Sequence, residues 1–503
     1  MFILFKVKQK GVYMSNRYIF KKDKLPRPII EGHDEFIKLY YDAWELAFKN
    51  IEYIDRDGWK DILTCMPGVG IMWQWDSCVM TFITNYSNGT LSAFNNLDNL
   101  YMLKREDGFM SMAYNLDDGM PTYGERINPP LMAWAEWEHY LISGDCSRFE
   151  KALPALEGIY NFIEKNRKRE SCGLYYFEDT GSSGMDNSPV SGYGAKHLDG
   201  SDTCFVDLSC QQALSALCIS KICDKLSLND KATFYKNEHS RICNLINKYH
   251  YSERVGWYFN FFARNWSDER VKFINSKTAA GFWPLVAEVA NGERMRSVVS
   301  HMMNENEFYT KIPFATLSKD DPNYDSNGGY WLGGVWAPTN LCAIKGLSKN
   351  GYKEFAREAS IKYLEGMCKV SDDSAFGSIW EAYAPDFYRP ATTEYNTLSR
   401  AEFVGWSGIA PITLLIENII GLEFNAQENL VTFNLNERGK CGIENMIFNS
   451  NNISVVCTEY VPFKDKTIIE VEAEKPFKLK VVTKYLWYPK EFDIPQGKTV
   501  LKI

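Results

Sequence analysis

Apolar residues recur every three or four positions along most of the chain, from about residue 34 to residue 421. This spacing places the apolar side chains on one face of an α-helix, and that face must be buried. Glycine, proline and asparagine mark the ends of the segments. The pattern predicts twelve helices, at residues 34–51, 76–87, 91–104, 129–143, 147–168, 204–226, 230–250, 277–290, 292–304, 336–348, 351–369 and 406–420.

Twelve helices favour six helical hairpins, because each helix can then bury its apolar stripe against its neighbours. We therefore expect a mainly α fold in which inner helices alternate with outer ones in a closed double ring. This helical domain is predicted to span residues 31–423, after an N-terminal segment of residues 1–30.

The pattern changes after Gly421 to short runs of alternating apolar and polar residues, separated by turns of asparagine, glycine, lysine and proline. Such alternation is typical of strands with one buried face. The runs predict a small antiparallel, sandwich-like β-domain over residues 424–503, and their sequences are NLVTFNL, ISVVCTEYV, TIIEVEAE, FKLKVVTKYLWY and KTVLKI.

Composition excludes several kinds of partner and cofactor. The net charge of -8 disfavours nucleic-acid phosphates, and no apolar stretch reaches the roughly 20 residues of a membrane span. The thirteen cysteines form no CxxC pair and the six histidines no HExxH motif. We therefore predict free thiols, no metal and no cofactor.

The N-terminal sequence MFILFKVKQKGVYMSNRY contains only a short apolar run, which lysines interrupt. It lacks the longer apolar core and small-residue cleavage site of a signal peptide. We therefore predict a cytoplasmic protein, for which Met14 is an alternative start.

Four long connections between the predicted helices are the places to look for chemistry, since loops of this length in a compact domain often carry function. They hold glycine, aromatic and acidic residues in the mixture expected of a sugar site, although aromatic residues also fill gaps between helices. The connections are residues 105–128, 169–203, 305–335 and 370–405.

Breaking a glycosidic bond requires two carboxyl groups, one on each side of the anomeric carbon. The stretch SSGMDNSPVSGYG offers Asp186, with Gly184 and Pro189 shaping the backbone around it. An Asx-turn or a helix cap is the alternative interpretation of this aspartate.

The stretch SIWEAYAPDF offers a second carboxyl, Glu381, between Trp380 and Tyr383. Aromatic neighbours desolvate a carboxylate and raise its pKa towards the range useful for proton transfer. A structural glutamate is the alternative, and Glu394 and Glu402 are rival carboxylates nearby.

Two further stretches suit the same site. MWQWDSCVM places Trp75 and Asp76 at the start of a helix, and GGYWLGGVWAPTN places Trp331 and Trp336 among four glycines. In a sugar site the aspartate accepts hydrogen bonds from hydroxyl groups while the indoles pack on C–H faces. A helix N-cap is the alternative role for Asp76.

These motifs occur in an order that resembles glycoside hydrolase family 63 and the related mannosylglycerate-hydrolase-like and trehalase-like enzymes. The resemblance runs from about Trp73 to Gly421 and rests on WQWDS, NPPLMAWAEW, SGMDNSP, FVDLS, GGYWLGGVWAPTN, WEAYAP and FVGWSGIAPITLLIENIIGL. It implies an (α/α)6 barrel and an inverting mechanism on α-glycosides.

The resemblance also implies residue roles. Asp186 corresponds to the general acid and Glu381 to the general base. The residues predicted to bind the sugar are Trp75, Asp76, Asn187, Trp331, Trp336, Trp380 and Tyr383. The chain departs from many relatives at Val190–Gly192 and at Asp386–Tyr388, next to the two catalytic motifs.

We therefore predict an exo-acting, inverting α-glycosidase whose partner is a small carbohydrate, either a short α-linked oligosaccharide or a small α-glycoside. A glycoside phosphorylase or a sugar epimerase is the nearest alternative, because the same barrel carries those reactions. Lys277 and Arg389 are the candidate phosphate ligands for the phosphorylase. A sugar-binding protein without activity is the alternative from another class.

Overall fold

The structure is a computed structural model that describes residues 18–189, 200, 202–263, 272–460, 467–483 and 488–503. Met14, Val190–Gly192, Tyr485 and Trp487 lie outside the described residues. Among the described residues no helix has both the length and the apolar composition needed to cross a membrane.

The chain is mainly α-helical up to residue 421 and forms β-sheets after it, which confirms the predicted mainly α fold with C-terminal strands. Within the described ranges the regular α-helices are Asp34–Lys49, Gln74–Thr84, Phe94–Leu103, Met132–Ser143, Ser147–Asn166, Val206–Lys225, Asn229–Tyr249, Trp283–Val286, Gly292–Met302, Ala337–Lys349 and Lys353–Asp372.

Two predicted helices differ from regular α-helices. The prediction at 277–290 becomes a 3₁₀ turn, Ala279–Phe282, followed by the short helix Trp283–Val286. The prediction at 406–420 becomes a 3₁₀ turn, Ser407–Ile409, that leads into the π-helix Ala410–Ile420. In both segments a proline stands at the start of the helix that follows the 3₁₀ turn, a position at which proline is well tolerated.

Alternate helices along the chain differ in burial. Every side chain of Gln74–Thr84 is buried, and so are most of those in Val206–Lys225. The helix Asn229–Tyr249, by contrast, buries a single apolar stripe. The buried helices contact one another in the order Gln74–Thr84, Met132–Ser143, Val206–Lys225, Trp283–Val286, Ala337–Lys349 and the turn Ser407–Ile409, which contacts Gln74–Thr84 again.

Short antiparallel ladders tie together the loops that precede the buried helices. Ile71–Trp73 pairs with Ala113–Asn115, and Thr203–Cys204 pairs with Phe261–Phe262. Val335–Trp336 pairs with Ala382–Tyr383, which joins the GGYWLGGVW loop directly to the WEAYAP loop. The ladders Ile51–Glu52 with Ile62–Leu63 and Tyr251–Ser252 with Trp257–Tyr258 complete this set.

The C-terminal strands form two sheets. The five-stranded sheet is antiparallel and has the order Arg27–Ile30, Cys441–Phe448, Asn451–Tyr460, Thr467–Ala473, Gly497–Lys502. The four-stranded sheet has the order Leu422–Asn425, Leu430–Asn434, Phe477–Val482, Lys490–Ile494.

The prediction of a wholly antiparallel domain is wrong at one place, because Leu430–Asn434 and Phe477–Val482 pair in parallel. The chain crosses to the other sheet between these two strands, so they run in the same direction. Arg27–Ile30 joins the C-terminal sheet by pairing with Cys441–Phe448, although it lies in the predicted N-terminal segment.

The thirteen cysteines are all free thiols, as the sequence predicts. Cys146 is exposed and Cys243 half-buried, while the other eleven are buried. Most of the thiols therefore act as small apolar groups in the core.

Candidate active site

The predicted site residues from four separate motifs meet at one cavity of about 280 Å³. Five of them line it directly, namely Trp75, Asp76, Asp186, Trp331 and Glu381. The remaining lining residues are Met66, Trp73, Met112, Tyr123, Asn128, Gly181, Gly184, Tyr330 and Trp406.

The loop that carries Asp186 is a compact turn packed against an indole. The Thr180 hydroxyl donates a hydrogen bond to the Asp186 carbonyl at 2.6 Å. Gly184 has a φ of +80°, and a Cβ placed there would lie 2.1 Å from Cζ3 of Trp75. Only glycine fits this position, because it tolerates the left-handed backbone and leaves room for the indole.

Asn187 connects the acid loop to the GGYW loop. Its side-chain amide donates to the Gly329 carbonyl at 2.9 Å, and its side-chain oxygen accepts from the Trp331 main-chain N–H at 2.9 Å. Asn187 is buried and lies outside the lining of the cavity. In this structure it positions two loops, whereas the sequence predicted direct contact with sugar.

Glu381 is held by main-chain hydrogen bonds on both sides. Its N–H donates to the Arg400 carbonyl at 2.8 Å, and the Arg400 N–H donates to Oε2 of Glu381 at 3.2 Å. The indole N–H of Trp406 donates to the Glu381 carbonyl at 3.0 Å. Burial raises the pKa of Glu381 to about 7, and the charges of Asp76 and Asp186 act in the same direction against the lowering effect of Arg400.

Asp76 lies in the first turn of Gln74–Thr84 and is buried. The N-cap position belongs to Trp73 and no side chain caps the helix, so the alternative role of Asp76 as an N-cap is wrong. Burial, together with the charge of Asp186, raises the pKa of Asp76 to about 6, against the lowering effect of hydrogen bonds from the Cys65 thiol and from its own main chain. Asp76 and Glu381 thus both titrate well above ordinary carboxyl groups.

Tryptophans form one wall of the cavity in two layers. Trp331 stacks between Trp75, at a ring-centroid distance of 5.9 Å, and Trp336, at 4.0 Å. Trp336 is fully buried and donates from its indole N–H to the Tyr330 carbonyl. It therefore supports the lining residue Trp331 from behind.

Trp380 and Tyr383 also lie outside the cavity lining. The Tyr383 hydroxyl accepts a hydrogen bond from the Trp380 main-chain N–H at 3.0 Å, and Ser407 donates to the Trp380 carbonyl at 2.7 Å. Both residues fix the turn that presents Glu381. The rivals Glu394 and Glu402 are absent from the lining as well.

Several lining residues were missed by the sequence analysis. Tyr330 adopts a φ of +67°, which is unusual for a residue with a side chain, and it lies beside the predicted Trp331. Trp406 belongs to the motif FVGWSG but was given no role. Asn128 begins the motif NPPLMAWAEW but was given no role either. Met66, Met112 and Tyr123 come from stretches without a chemical signature, so only the folded chain reveals them.

The described lining of the cavity contains three carboxyl groups and neither lysine nor arginine. Like charges in a desolvated site disfavour simultaneous ionisation, so such a cluster tends to retain a proton. A site of this kind can exchange protons with a bound molecule near neutral pH.

Comparison with known proteins agrees with this arrangement. Residues 71–395 match the model of the mannosylglycerate hydrolase MGH1-like glycoside hydrolase domain. The chain is 29% identical to an uncharacterized protein of Borreliella burgdorferi, over 92% of this chain and 97% of the relative. It is 24% identical to the mannosyl-oligosaccharide glucosidase of Saccharomyces cerevisiae, over 62% of this chain and 37% of that enzyme.

Among solved structures, the family 63 mannosylglycerate hydrolase of Thermus thermophilus in complex with glucose shares the fold. It aligns with a TM-score of 0.60 at 17% identity, over 74% of this chain and 99% of that one. The family match spans more than half of the chain and includes all three carboxyl residues of the cavity. The chain therefore belongs to the MGH1-like glycoside hydrolases of the family 63 type, as the order of its motifs indicates.

Proposed function

We propose that this protein is an exo-acting, inverting α-glycosidase that hydrolyses a short α-linked oligosaccharide or a small α-glycoside. The observation that carries the proposal is that Asp186 and Glu381, from loops almost 200 residues apart in sequence, line one small cavity with Asp76. The pKa of about 7 at Glu381 adds to it, since a general base works best when its pKa lies near the working pH.

In the proposed reaction Asp186 protonates the glycosidic oxygen as the bond to the anomeric carbon breaks. Glu381 removes a proton from a water that attacks the same carbon from the opposite face, through an oxocarbenium-like transition state. The new hydroxyl therefore has the opposite anomeric configuration. The proton returns from Glu381 to Asp186 through solvent before the next turnover.

Asp76 and the tryptophans are proposed to hold the sugar ring. A charged carboxylate forms strong hydrogen bonds with hydroxyl groups, and Trp75 and Trp331 present apolar surface at the same cavity. The cavity of about 280 Å³ is near the lower limit of roughly 300–1,000 Å³ that is usual for drug-sized ligands. A cavity of this size fits the terminal sugar of a short substrate, which favours exo action.

We also propose that the helices form a closed (α/α)6 barrel over residues 31–423 and that residues 424–503 are a supporting β-domain. The cyclic order of contacts among the buried helices supports the closed ring. The strand Leu422–Asn425 contacts Met132–Ser143, which supports a packing role for the β-domain. The predicted cytoplasmic location suits a substrate small enough to enter a cell.

Sugar release from a panel of α-linked glucosides, mannosides and galactosides tests the function, with the product anomer followed by NMR. We expect the β-anomer to appear first, and Asp186→Asn and Glu381→Gln to abolish its release. Release that requires added phosphate would instead establish a phosphorylase. Full activity in either variant would remove that residue from the mechanism.

Phosphorolysis receives little support from the two candidate phosphate ligands. Lys277 forms ion pairs with Asp320 at 2.6 Å and Glu307 at 3.1 Å. Neither Lys277 nor Arg389 is among the described lining residues of the cavity. Hydrolysis is therefore the proposed reaction.

A further inference from the structure

A buried thiol lies directly behind the sugar-site carboxylate. Sγ of Cys65 donates a hydrogen bond to Oδ1 of Asp76. Cys65 is 1% and Asp76 6% exposed, so water has little access to this contact. Cys65 belongs to none of the motifs that indicate glycosidase chemistry, and the residue after it, Met66, lines the cavity.

The backbone of Gly405 holds Cys65 in this position. A Cβ at residue 405 would lie 2.2 Å from Cβ of Cys65 and 2.5 Å from its Cα, so no larger residue fits there without a shift of the backbone. Gly405 immediately precedes Trp406, whose indole binds the Glu381 carbonyl. The stretch FVGWSG thus helps to hold two of the three carboxyl residues. Gly405 packs against Cys65, which bonds Asp76, and Trp406 bonds Glu381.

The groups that face Asp76 have opposing effects on its pKa. Burial and the carboxylate of Asp186 raise the pKa of Asp76. Glu381, Cys78 and Tyr330 also interact electrostatically with Asp76, and each is neutral or negative in charge. Among the described side chains, Cys65 is the one that donates a hydrogen bond to the Asp76 carboxyl group, and this bond favours the ionised form.

We propose that Cys65 is a positioning residue of the active site, whose thiol fixes the orientation of Asp76 and keeps its carboxylate ionised for binding sugar hydroxyl groups. The proposal depends on the proposed function only for the role of Asp76 in sugar binding. The hydrogen bond and its effect on ionisation are properties of the protein without substrate.

The thiol takes no covalent part in the reaction. Burial and the neighbouring charge of Asp76 raise the pKa of Cys65 well above its usual range, so it remains a neutral donor. Without that donor, Asp76 gains a proton at a higher pH. A protonated carboxyl group loses the charge-assisted hydrogen bonds that make it a strong acceptor for hydroxyl groups.

Infrared spectroscopy of the protein without substrate tests the hydrogen bond, because S–H stretching absorbs where other protein groups do not. The difference spectrum of wild type minus Cys65→Ser isolates the Cys65 band. We expect this band at the low-frequency position of a strongly bonded thiol, and we expect it to shift on titration through about pH 6. Asp76→Asn should abolish the pH dependence, and a band that does not change with pH would overturn the proposal.

Kinetics of Cys65→Ala and Cys65→Ser test the consequence for the active site. We expect Cys65→Ala to lower kcat/KM about tenfold, mainly through KM, since a hydrogen bond to a charged group is removed. The acidic limb of the kcat/KM profile already falls with the protonation of Glu381 near pH 7, so a rise in the pKa of Asp76 should make this limb steeper, because a second proton is then taken up in the same pH range. Cys65→Ser should restore both kcat/KM and the slope of this limb because a hydroxyl group also donates.

Cys78→Ala is the matched control, because Cys78 is equally buried on the helix that carries Asp76. It should leave the pH profile unchanged. A profile of Cys65→Ala that equals the wild-type profile, or that Cys78→Ala reproduces, would show that Cys65 only fills space. If wild type cleaves no glycoside, the proposed function fails, and the infrared titration alone decides whether Cys65 controls Asp76.

Discussion

Two clusters of carboxyl residues in this molecule differ in whether a lysine lies among them in the described part of the chain. In the cavity of the candidate active site, Asp76, Asp186 and Glu381 meet with neither lysine nor arginine among the described lining residues. In a second cavity of about 310 Å³, Glu138 and Glu417 both pair with Lys345, at 2.8 and 2.7 Å. The difference indicates which group is built for chemistry and which for stability.

Lys345 lowers the pKa of one of its two carboxyl partners, whereas the pKa of the other stays raised. Burial favours the neutral form of Glu138, but the charge and hydrogen bond of Lys345 outweigh it and lower the pKa of Glu138. Glu417 shares the same lysine and accepts a hydrogen bond from the Tyr86 hydroxyl, yet burial still raises its pKa. In the candidate active site, where no described lysine lines the cavity, the pKa values of Asp76 and Glu381 reach about 6 and 7. These carboxyl groups can hold protons that a reaction near neutral pH can use.

The largest expected effect is on activity in the candidate active site. Glu381→Gln should lower kcat by about 10³–10⁴-fold, the usual contribution of a positioned acid or base. Its melting temperature should equal or exceed that of wild type, because the substitution removes a half-buried carboxyl group whose charged form the site disfavours. Glu402→Gln, a rival carboxylate outside the cavity, is the control and should keep full activity.

The second largest effect is on the stability of the fold, at the cluster of Lys345 with Glu138 and Glu417. Lys345→Met should lower the free energy of unfolding by about 3 kcal/mol, because Glu138 and Glu417 are left buried without their cation. Activity per folded molecule should remain unchanged. Urea unfolding measures the first value, and kcat normalised to the folded fraction gives the second; a stable variant that has lost activity would contradict the division between the two groups.

A smaller effect is expected from the glycine that supports Asp186. Gly184→Ala should lower kcat/KM about 10–100-fold, because a displaced catalytic loop loses its alignment with substrate. Gly89→Ala is matched in backbone conformation, with a φ of +77° against +80°, but has open space around its Cβ. Both variants should lose about 1–2 kcal/mol of stability to the left-handed backbone. Equal activity in the two variants would show that contact with Trp75 does not position the loop.

The smallest effect is the pH dependence of stability, which should have opposite signs for Glu381 and Glu138. The raised pKa of Glu381 means that the folded state holds this proton more tightly than the unfolded state does. Its contribution to stability is therefore complete below about pH 4.5 and is lost as the pH rises to about 7. Because the pKa of Glu138 is lowered in the folded state, this residue contributes stability at pH values above its ordinary pKa, and the contribution is lost as the pH falls.

Calorimetry from pH 4 to pH 8 measures this difference. Relative to wild type, Glu381→Gln should gain on the order of 1–3 kcal/mol as the pH rises across this range. Glu138→Gln should approach the stability of wild type as the pH falls. If the stability of both variants, relative to wild type, changed with pH in the same direction, Lys345 would not distinguish Glu138 from Glu381.

Much of the helical architecture could be predicted from the sequence because it depends on local spacing. Val206–Lys225 lies within the predicted 204–226, and Ser147–Asn166 within 147–168. The prediction was poorer where a strand depends on a distant partner. Arg27–Ile30 forms a strand by pairing with Cys441–Phe448, more than 400 residues away in the chain.

The residues of the candidate site also differ in how well the sequence predicted their position. Asp186, Glu381, Asp76, Trp75 and Trp331 stand in recognisable motifs, and all five line the cavity. Asn187, Trp336, Trp380 and Tyr383 stand in the same motifs but lie behind the wall. Motif membership does not tell which of two neighbouring side chains faces the cavity, since this depends on how the loops pack.

The sequence by itself determined the succession of helices, the change to strands after Gly421 and the order of the glycosidase motifs. These features follow from the spacing of residue types along the chain, which is local information. Only the tertiary structure decided that Cys65 donates to Asp76, that Gly184 must accommodate Trp75 and that Lys345 neutralises one acidic group. Each of these depends on contacts between distant segments, and such contacts set the burial and the charge that fix the pKa of a side chain.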